Sequence, residues 1–151
     1  MKSMFMMAAL ISCSTLFLHA QIPAFIDPTG TYTLKGEVRN NKIMSSFGEI
    51  RVLLIDSEKI AMCFYIAKGY PGNESASFTD TLRYAENKTE YKISPDADCS
   101  VLFSFKKQEA EITQIYSDPQ GCDFGKGILT STIFEKSSDE KPVIKKFSRQ
   151  N

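Results

Sequence analysis

Hydrophobic and polar residues alternate along most of this chain, and turn-forming residues interrupt them at intervals of roughly ten to fifteen residues. This period of two is typical of strands that have one face in a core and the other in solvent. Ile60 to Ala67 is apolar on both faces, so we expect a central strand covered on both sides. The pattern predicts strands at about residues 31–38, 47–55, 60–67, 76–84, 91–93, 99–105, 110–116 and 128–135.

The order of these elements predicts an all-β fold in one domain. Eight successive strands with short reversals and no crossover helix are typical of a single antiparallel up-and-down eight-stranded barrel, because closing the sheet removes its exposed edges. A two-sheet β-sandwich is the alternative. We expect the barrel to occupy residues 30–136, after a lead-in at 21–29 and before a polar tail at 137–151, with a short edge strand predicted at 143–147.

Residues 1–20 have the composition of an export signal. Lys2 supplies a positive start, Met4 to Leu18 is an uncharged and mostly apolar run, and Ala20 is a small residue that suits signal cleavage. We therefore expect cleavage after Ala20, a periplasmic or secreted protein, and no transmembrane segment in the mature chain. The alternative is a lipoprotein anchored through Cys13, because Leu10 to Cys13 resembles a lipobox. Against that alternative, the apolar run continues beyond Cys13.

The charge balance argues against a nucleic-acid partner. The whole chain has 18 basic and 18 acidic residues, so the loss of Lys2 with the leader leaves a net charge close to minus one. A protein that binds phosphates needs a basic surface, whereas these charges are interspersed. We expect a protein partner instead.

Three cysteines follow the leader. Cys99 opens the predicted sixth strand and Cys122 precedes the eighth, so both lie near an end of the sheet, and in an oxidising compartment we expect them to form a disulfide. Cys63 lies inside the apolar third strand. We expect it to be a buried free thiol rather than a nucleophile, because no histidine is left to activate it. A disulfide between the Cys63 residues of two chains is the alternative.

The mature chain is poorly equipped for catalysis, because His19 is the only histidine and leaves with the leader. Neither a Ser-His-Asp site nor a histidine-dependent zinc site can form without it, so we predict no enzyme, no metal and no cofactor. Asp80, on the apolar side of the fourth strand, is the natural candidate for a carboxylate-dependent hydrolase. The alternative is that Asp80 bonds neighbouring backbone or a tyrosine hydroxyl, or lies at a strand kink. Asp96 and Asp98 lack the further ligands of a calcium loop.

Three features of the second half of the chain carry a resemblance. Cys99 opens a Val-x-Phe-x-Phe strand, a Cys-x-Phe-Gly-x-Gly-Ile run starts at Cys122, and the next strand ends with Phe134 and Lys136. Together these features resemble small secreted bacterial proteins that are similar in layout to the periplasmic lysozyme-inhibitor barrels. The resemblance implies a barrel that inhibits a lysozyme-type cell-wall hydrolase. The chain departs from it in lacking the Ser-Gly-x-x-Tyr stretch that such inhibitors use near the enzyme cleft.

Loop residues at one rim of the barrel are the predicted partner contacts. Two glycines and a lysine beside the expected disulfide suit a rigid recognition loop, and they are equally common at a tight structural corner. The alternative for the aromatic residue of this loop is that its ring plugs the barrel mouth. The predicted contact residues are Tyr70, Asn73, Asp123, Phe124 and Lys126.

Two other functions are kept as alternatives. A lipocalin-like carrier would hold a small apolar ligand in the barrel, which requires an open cavity, whereas a filled interior argues against it. The carrier would use Phe64, Phe78, Phe103, Phe105 and Phe134. A carboxylate-dependent hydrolase ranks last.

Asn73 and Asn87 each begin an N-glycosylation sequon in a predicted turn, which matters if the source is eukaryotic.

Overall fold

Strands and turns make up the protein in the computed structural model, which describes residues 23–93, 99–116, 122, 124, 128 and 131–146. These described residues contain no helix, and therefore none of the length and hydrophobicity that a membrane span requires. The strands are β1 Gly30–Leu34, β2 Val38–Arg39, β3 Lys42–Ile43, β4 Phe47–Asp56, β5 Lys59–Ala67, β6 Ser75–Arg83, β7 Lys88–Lys92, β8 Cys99–Phe105, β9 Glu109–Tyr116 and β10 Ser131–Ser138.

Eight of these strands form one antiparallel sheet that is nearly closed into a barrel. Its order is β6-β5-β4-β1-β10-β9-β8-β7, so most of its strands pair with the sheet strands next to them in the chain, and β1 pairs with β10 to join the two halves. The sheet stays open between β6 and β7. Strands β2 and β3 form a separate two-stranded sheet. The predicted all-β antiparallel barrel is therefore confirmed, and the sandwich alternative is wrong.

The first predicted strand is wrong in its second half. The chain leaves the large sheet after Leu34, and Val38, expected on the inner face, lies in β2 with its side chain 65% exposed. Gly36 lies between β1 and β2. A side chain there would collide with Ile43 and with the backbone of Ser45, so glycine is required where this segment packs closely against the one that leads back to the barrel.

The last strand and the tail also differ from the prediction. Ile128, the predicted start of the last strand, lies in a turn, and β10 spans Ser131–Ser138. It extends beyond the predicted end because β1 pairs with its far end through Thr31 and Ser138. Residues 141–146 contain no strand, and Val143 is 61% exposed, so the edge strand predicted at 143–147 is absent from its described part.

The interior of the barrel is filled by alternate side chains of the strands. Aromatic residues form its centre, with the Phe64 ring centroid 5.6 Å from Phe78, 5.4 Å from Phe103 and 6.1 Å from Phe134. Phe105 packs separately, in contact with tyrosines near the other end of the barrel. The largest fully buried side chains are Tyr32, Tyr84, Phe64, Phe103, Phe134, Ile50, Ile60, Met62, Ile66, Ile112, Val52 and Val101.

Cys63 lies on the outer face of β5 and is nevertheless fully buried. Its neighbours in sequence, Met62 and Phe64, fill the interior, so the Cys63 side chain points away from the barrel. Burial raises the pKa of the thiol, and a backbone hydrogen bond from Lys145 acts in the opposite direction. The C-terminal segment therefore reaches this face of β5. The expected buried free thiol is confirmed.

The two ends of the barrel differ in their connections. Residues 35–46 and 68–74 connect strands at one end, which we call the loop end, and β7 and β9 also end there. The opposite turn end has the short reversals at 57–58, 84–87 and 106–108. The lead-in covers the turn end: the Tyr84 hydroxyl donates to the Ile26 carbonyl at 2.8 Å, and the Asn87 amide donates to the Ala24 carbonyl at 2.8 Å. The loop end is therefore where long segments can meet a partner.

Candidate binding surface

A two-residue turn makes the β2–β3 hairpin at the loop end. Asn40 and Asn41 have φ values of 50° and 58°, and they separate the Arg39–Lys42 pair. Two successive residues with positive φ form the turn that matches the twist of a hairpin, and asparagine tolerates this conformation better than most residues. The local sequence therefore specifies a short, ordered hairpin.

Backbone hydrogen bonds fix the base of this hairpin to the next loop. The Met44 amide donates to the Glu37 carbonyl at 2.7 Å, and the Tyr70 amide donates to the Ile43 carbonyl at 2.7 Å. A Cβ atom at Gly69 would collide with the backbone of Met44. The hairpin and the loop at 68–74 thus pack as one unit, which also contains the cis Tyr70–Pro71 peptide.

The exposed side chains of this unit include apolar, aromatic and basic residues, beside the acidic Glu37 and Glu74. The Lys42 Nζ lies 3.8 Å from the centroid of the Tyr70 ring, a cation–π contact, and the Tyr70 side chain is 52% exposed. Arg39 pairs with Glu37 at 2.7 Å. Proteins rarely expose several large apolar side chains together without a use for them. We define the hairpin surface as Val38, Arg39, Lys42, Ile43, Met44 and Tyr70.

The predicted contact Asn73 lies beside the hairpin surface. It is exposed in the loop at 68–74, where the Lys68 amide donates to the Glu74 carbonyl at 2.9 Å and closes the loop. The backbone amide of Glu74 and the nearby Lys68 ammonium lower the pKa of the Glu74 carboxyl, so this loop carries a charge of each sign. Tyr70 and Asn73, two predicted residues, therefore share one end of the barrel with the hairpin that the sequence prediction did not include.

Cys122 and Phe124, in the segment before β10, lie at the same end of the barrel. The predicted disulfide is confirmed: Cys99 and Cys122 are bonded, with their Cα atoms 5.6 Å apart. The side-chain amide of Gln114 donates to the Phe124 carbonyl at 2.9 Å. The half-buried Phe124 ring faces the interior, 5.7 Å from Tyr91 and 6.3 Å from Phe64.

The structure thus places Phe124 where the alternative prediction placed it, in the mouth of the barrel. Its role as a partner contact stays a prediction. Asp123 and Lys126, the other predicted residues of this loop, lie outside the described residues.

Asp80 makes a local contact. Its side chain is exposed although it lies on the inner side of β6, and its carboxylate accepts a hydrogen bond from the Thr81 amide at 2.7 Å. This agrees with the interpretation that Asp80 bonds neighbouring backbone. Among the described residues no group of three or more histidine, cysteine, aspartate or glutamate residues could hold a metal ion, and Asp96 and Asp98 lie outside that set.

The predicted carrier residues are all buried. Phe64, Phe78, Phe103 and Phe134 belong to the aromatic cluster, in which the Phe78 and Phe103 centroids are 5.8 Å apart. Phe105 instead contacts Tyr32 at 5.6 Å. These rings contact one another, so they pack as part of one hydrophobic core.

The hairpin was missed because its strands have no hydrophobic alternation. Val38 and Ile43 are separated by four polar residues, and β2 and β3 have two residues each. The available signal was the Asn40-Asn41 pair between two short segments, which favours a hairpin turn. No protein family, curated protein or solved structure matches this chain.

Proposed function

We propose that this protein is an exported, non-enzymatic binding protein that contacts a protein partner through the hairpin surface. The observation that carries the proposal is the concentration of exposed apolar, aromatic and basic side chains on one braced unit at the loop end. Tyrosine and arginine are the residues that most often dominate protein interfaces. An ordered hairpin loses little conformational freedom on binding, which favours affinity.

Export is part of the proposal. The Cys99–Cys122 disulfide supports it, since disulfides persist in oxidising compartments and are rare in the cytosol. The leader composition of residues 1–20 gives the same indication from the sequence.

The partner we propose is a lysozyme-type cell-wall hydrolase. Such glycosidases carry a pair of carboxyl groups in the cleft that binds the sugar chain. The hairpin surface offers the Lys42 ammonium to an acidic cleft, while Glu37 balances the charge of Arg39, and its apolar residues can exclude water around the contact. Blocking the cleft would inhibit the hydrolase without any chemistry by the inhibitor.

The carrier function receives less support. Its proposed ligand space is occupied by aromatic rings with centroid separations between 5.4 Å and 6.1 Å around Phe64. A ligand would have to displace this core, which costs several kcal/mol for each large side chain that loses its packing.

Titration of peptidoglycan hydrolysis tests the proposal. We expect the purified protein to inhibit at least one lysozyme type, and Lys42→Glu or Tyr70→Ala to weaken inhibition about 30-fold or more, as for a central interface residue. Lys59→Glu is the matched control, because Lys59 is an exposed lysine at the turn end, and it should leave inhibition unchanged. No inhibition of any lysozyme type at micromolar excess would contradict the proposed partner. Equal effects of Lys42→Glu and Lys59→Glu on inhibition would contradict contact through the hairpin surface.

A further inference from the structure

The open seam of the barrel lies between β6 and β7. Among the described residues these two strands are linked by the Ala85–Lys88 bridge at their turn and by no ladder beyond it. The Thr89 hydroxyl donates to the Arg83 carbonyl at 2.8 Å, at the position where the Glu90 amide would bond in a continuous hairpin. The two strands therefore separate directly after their turn.

The register shows which backbone groups face the seam from β6. The Tyr84 amide donates to the Glu58 carbonyl at 2.7 Å, and hydrogen-bonded pairs alternate along an antiparallel ladder. The even-numbered residues of β6 therefore bond to β5, whereas Ser77, Thr79 and Thr81 direct their N–H and C=O groups towards the seam.

The register of β7 likewise shows which of its backbone groups face the seam. The Phe105 amide donates to the Asn87 carbonyl at 2.8 Å, so Thr89 and Tyr91 bond to β8 while Glu90 and Lys92 face the seam. Within the part of the chain that the structure describes, two edges of the same sheet thus border one gap without a strand partner. An edge of this kind is a template for another strand.

Asp80 lies at the middle of the β6 edge. Its neighbours on the same face, Phe78 and Leu82, are buried, but Asp80 is exposed and makes no ion pair with a described residue. Its carboxylate accepts the Thr81 amide, one of the donors that face the seam. Tyr91 stacks on Phe78 with centroids 3.8 Å apart, and burial and the Asp80 charge both raise the pKa of its hydroxyl.

We infer that the β6 edge accepts an extended peptide strand of a partner protein, with a basic side chain opposite Asp80. The incoming backbone would pair with Ser77, Thr79 and Thr81, so the Thr81 amide would exchange the Asp80 carboxylate for a peptide carbonyl. The released carboxylate then binds the cation, which also lies near the Tyr91 ring. Asp80 would lie at a non-hydrogen-bonded position between β6 and the incoming strand. Opposite residues are closest at such positions, so the Asp80 side chain and the basic side chain of the peptide would approach closely.

Fluorescence anisotropy with a labelled probe peptide of alternating threonine and valine and a central arginine tests the inference. We expect binding that weakens about tenfold when the central residue is glutamine, the scale of one hydrogen bond to a charged group. Asp80→Asn should weaken the arginine peptide by the same factor and leave the glutamine peptide unchanged. Asp56→Asn is the matched control, because Asp56 is also exposed and accepts a backbone amide at 2.8 Å; it should change neither affinity.

Two further measurements test the inference even if the Asp80→Asn variant folds poorly. Amide shifts in NMR spectra of the unaltered protein should change at residues 75–83 and 88–92 when the arginine peptide is added. A peptide N-methylated at the amides that face β6 should lose binding, since it cannot pair with the edge. Absence of binding at millimolar arginine peptide, full binding of the N-methylated peptide, or shifts confined to the hairpin surface would overturn the inference. Inhibition of a lysozyme is measured separately, so failure of this inference is distinguishable from failure of the proposed function.

Discussion

At the scale of single residues, Asn87 connects the lead-in to the barrel. Its side chain donates to the Ala24 carbonyl at 2.8 Å and accepts from the Ile26 amide at 2.8 Å, and its backbone has a φ of 61°. The sequence suggested a glycosylation sequon at this position. The amide is buried and its nitrogen and oxygen are both hydrogen-bonded to or from the lead-in, so a glycan cannot be accommodated there in the folded protein, whereas Asn73 stays exposed.

Replacement of Asn87 tests this role. We expect Asn87→Ala to lower the free energy of unfolding by about 2–3 kcal/mol, because it removes two hydrogen bonds and leaves backbone partners without a replacement. Asn41→Ala is the matched control, since Asn41 occupies the same turn position with a φ of 58° but is exposed, and we expect a loss of about 1 kcal/mol or less. Urea denaturation measures both values, and equal losses would contradict the proposed link.

Two buried tyrosines predict the alkaline limit of stability. Burial raises the pKa of Tyr84 to about 12, and burial also raises the pKa of Tyr32, both from an ordinary value of 10.0. Above pH 10 the unfolded chain loses these protons while the folded chain keeps them, so the stability present below pH 10 decreases as the pH rises towards 12.

Each such tyrosine contributes a slope of about 1.4 kcal/mol per pH unit within this window. We expect Tyr84→Phe to flatten the dependence by one such contribution, measured by urea denaturation at pH 10 to 12. Tyr70→Phe is the control at an exposed ring. An unchanged slope in Tyr84→Phe would contradict the assignment.

At the scale of elements, the disulfide joins the start of β8 to the segment before β10. It closes a loop with a sequence separation of 23 residues, and loop entropy gives such a closure about 3 kcal/mol of stability. We expect wild-type protein to lose about this amount in dithiothreitol, and Cys99→Ser/Cys122→Ser to be equally destabilised but insensitive to reductant. Urea denaturation with and without reductant makes the comparison. A wild-type stability that reductant leaves unchanged would refute this contribution.

The long strands could be predicted from the sequence, and the short ones could not. Strands β4, β5, β8 and β9 start and end within one residue of their predicted bounds, because each buries alternate side chains over seven or more residues. Strands β2 and β3 bury no side chain, so the hydrophobic pattern carries no information about them. The candidate site was therefore only partly predicted. Loop composition indicated Tyr70 and Asn73, whereas nothing in the hydrophobic pattern indicated the β2–β3 hairpin.

The seam between β6 and β7 could not be predicted from the sequence for another reason. The alternation of hydrophobic and polar residues predicted both strands but not whether they pair, since pairing depends on the path of the backbone after Arg83. Asp80 was the available signal, because a charge on an apolar strand face suggests a local opening.

At the scale of the whole molecule, the barrel separates stability from recognition. The turn end is covered by the lead-in, the interior is filled by aromatic rings, and the exposed apolar and basic side chains of the hairpin surface are held at the loop end. A fold of this kind can change its loop end with little effect on its core. This arrangement is what the proposed binding function requires.

Hydrogen–deuterium exchange with and without saturating lysozyme, for each lysozyme type, tests the central claim most directly. The proposed function predicts that, with an inhibited lysozyme, amides in residues 36–46 and 68–74 become protected, while the turns at 57–58, 84–87 and 106–108 keep their exchange rates. Protection at the turn end instead, or no change anywhere with any lysozyme, would contradict binding through the hairpin surface.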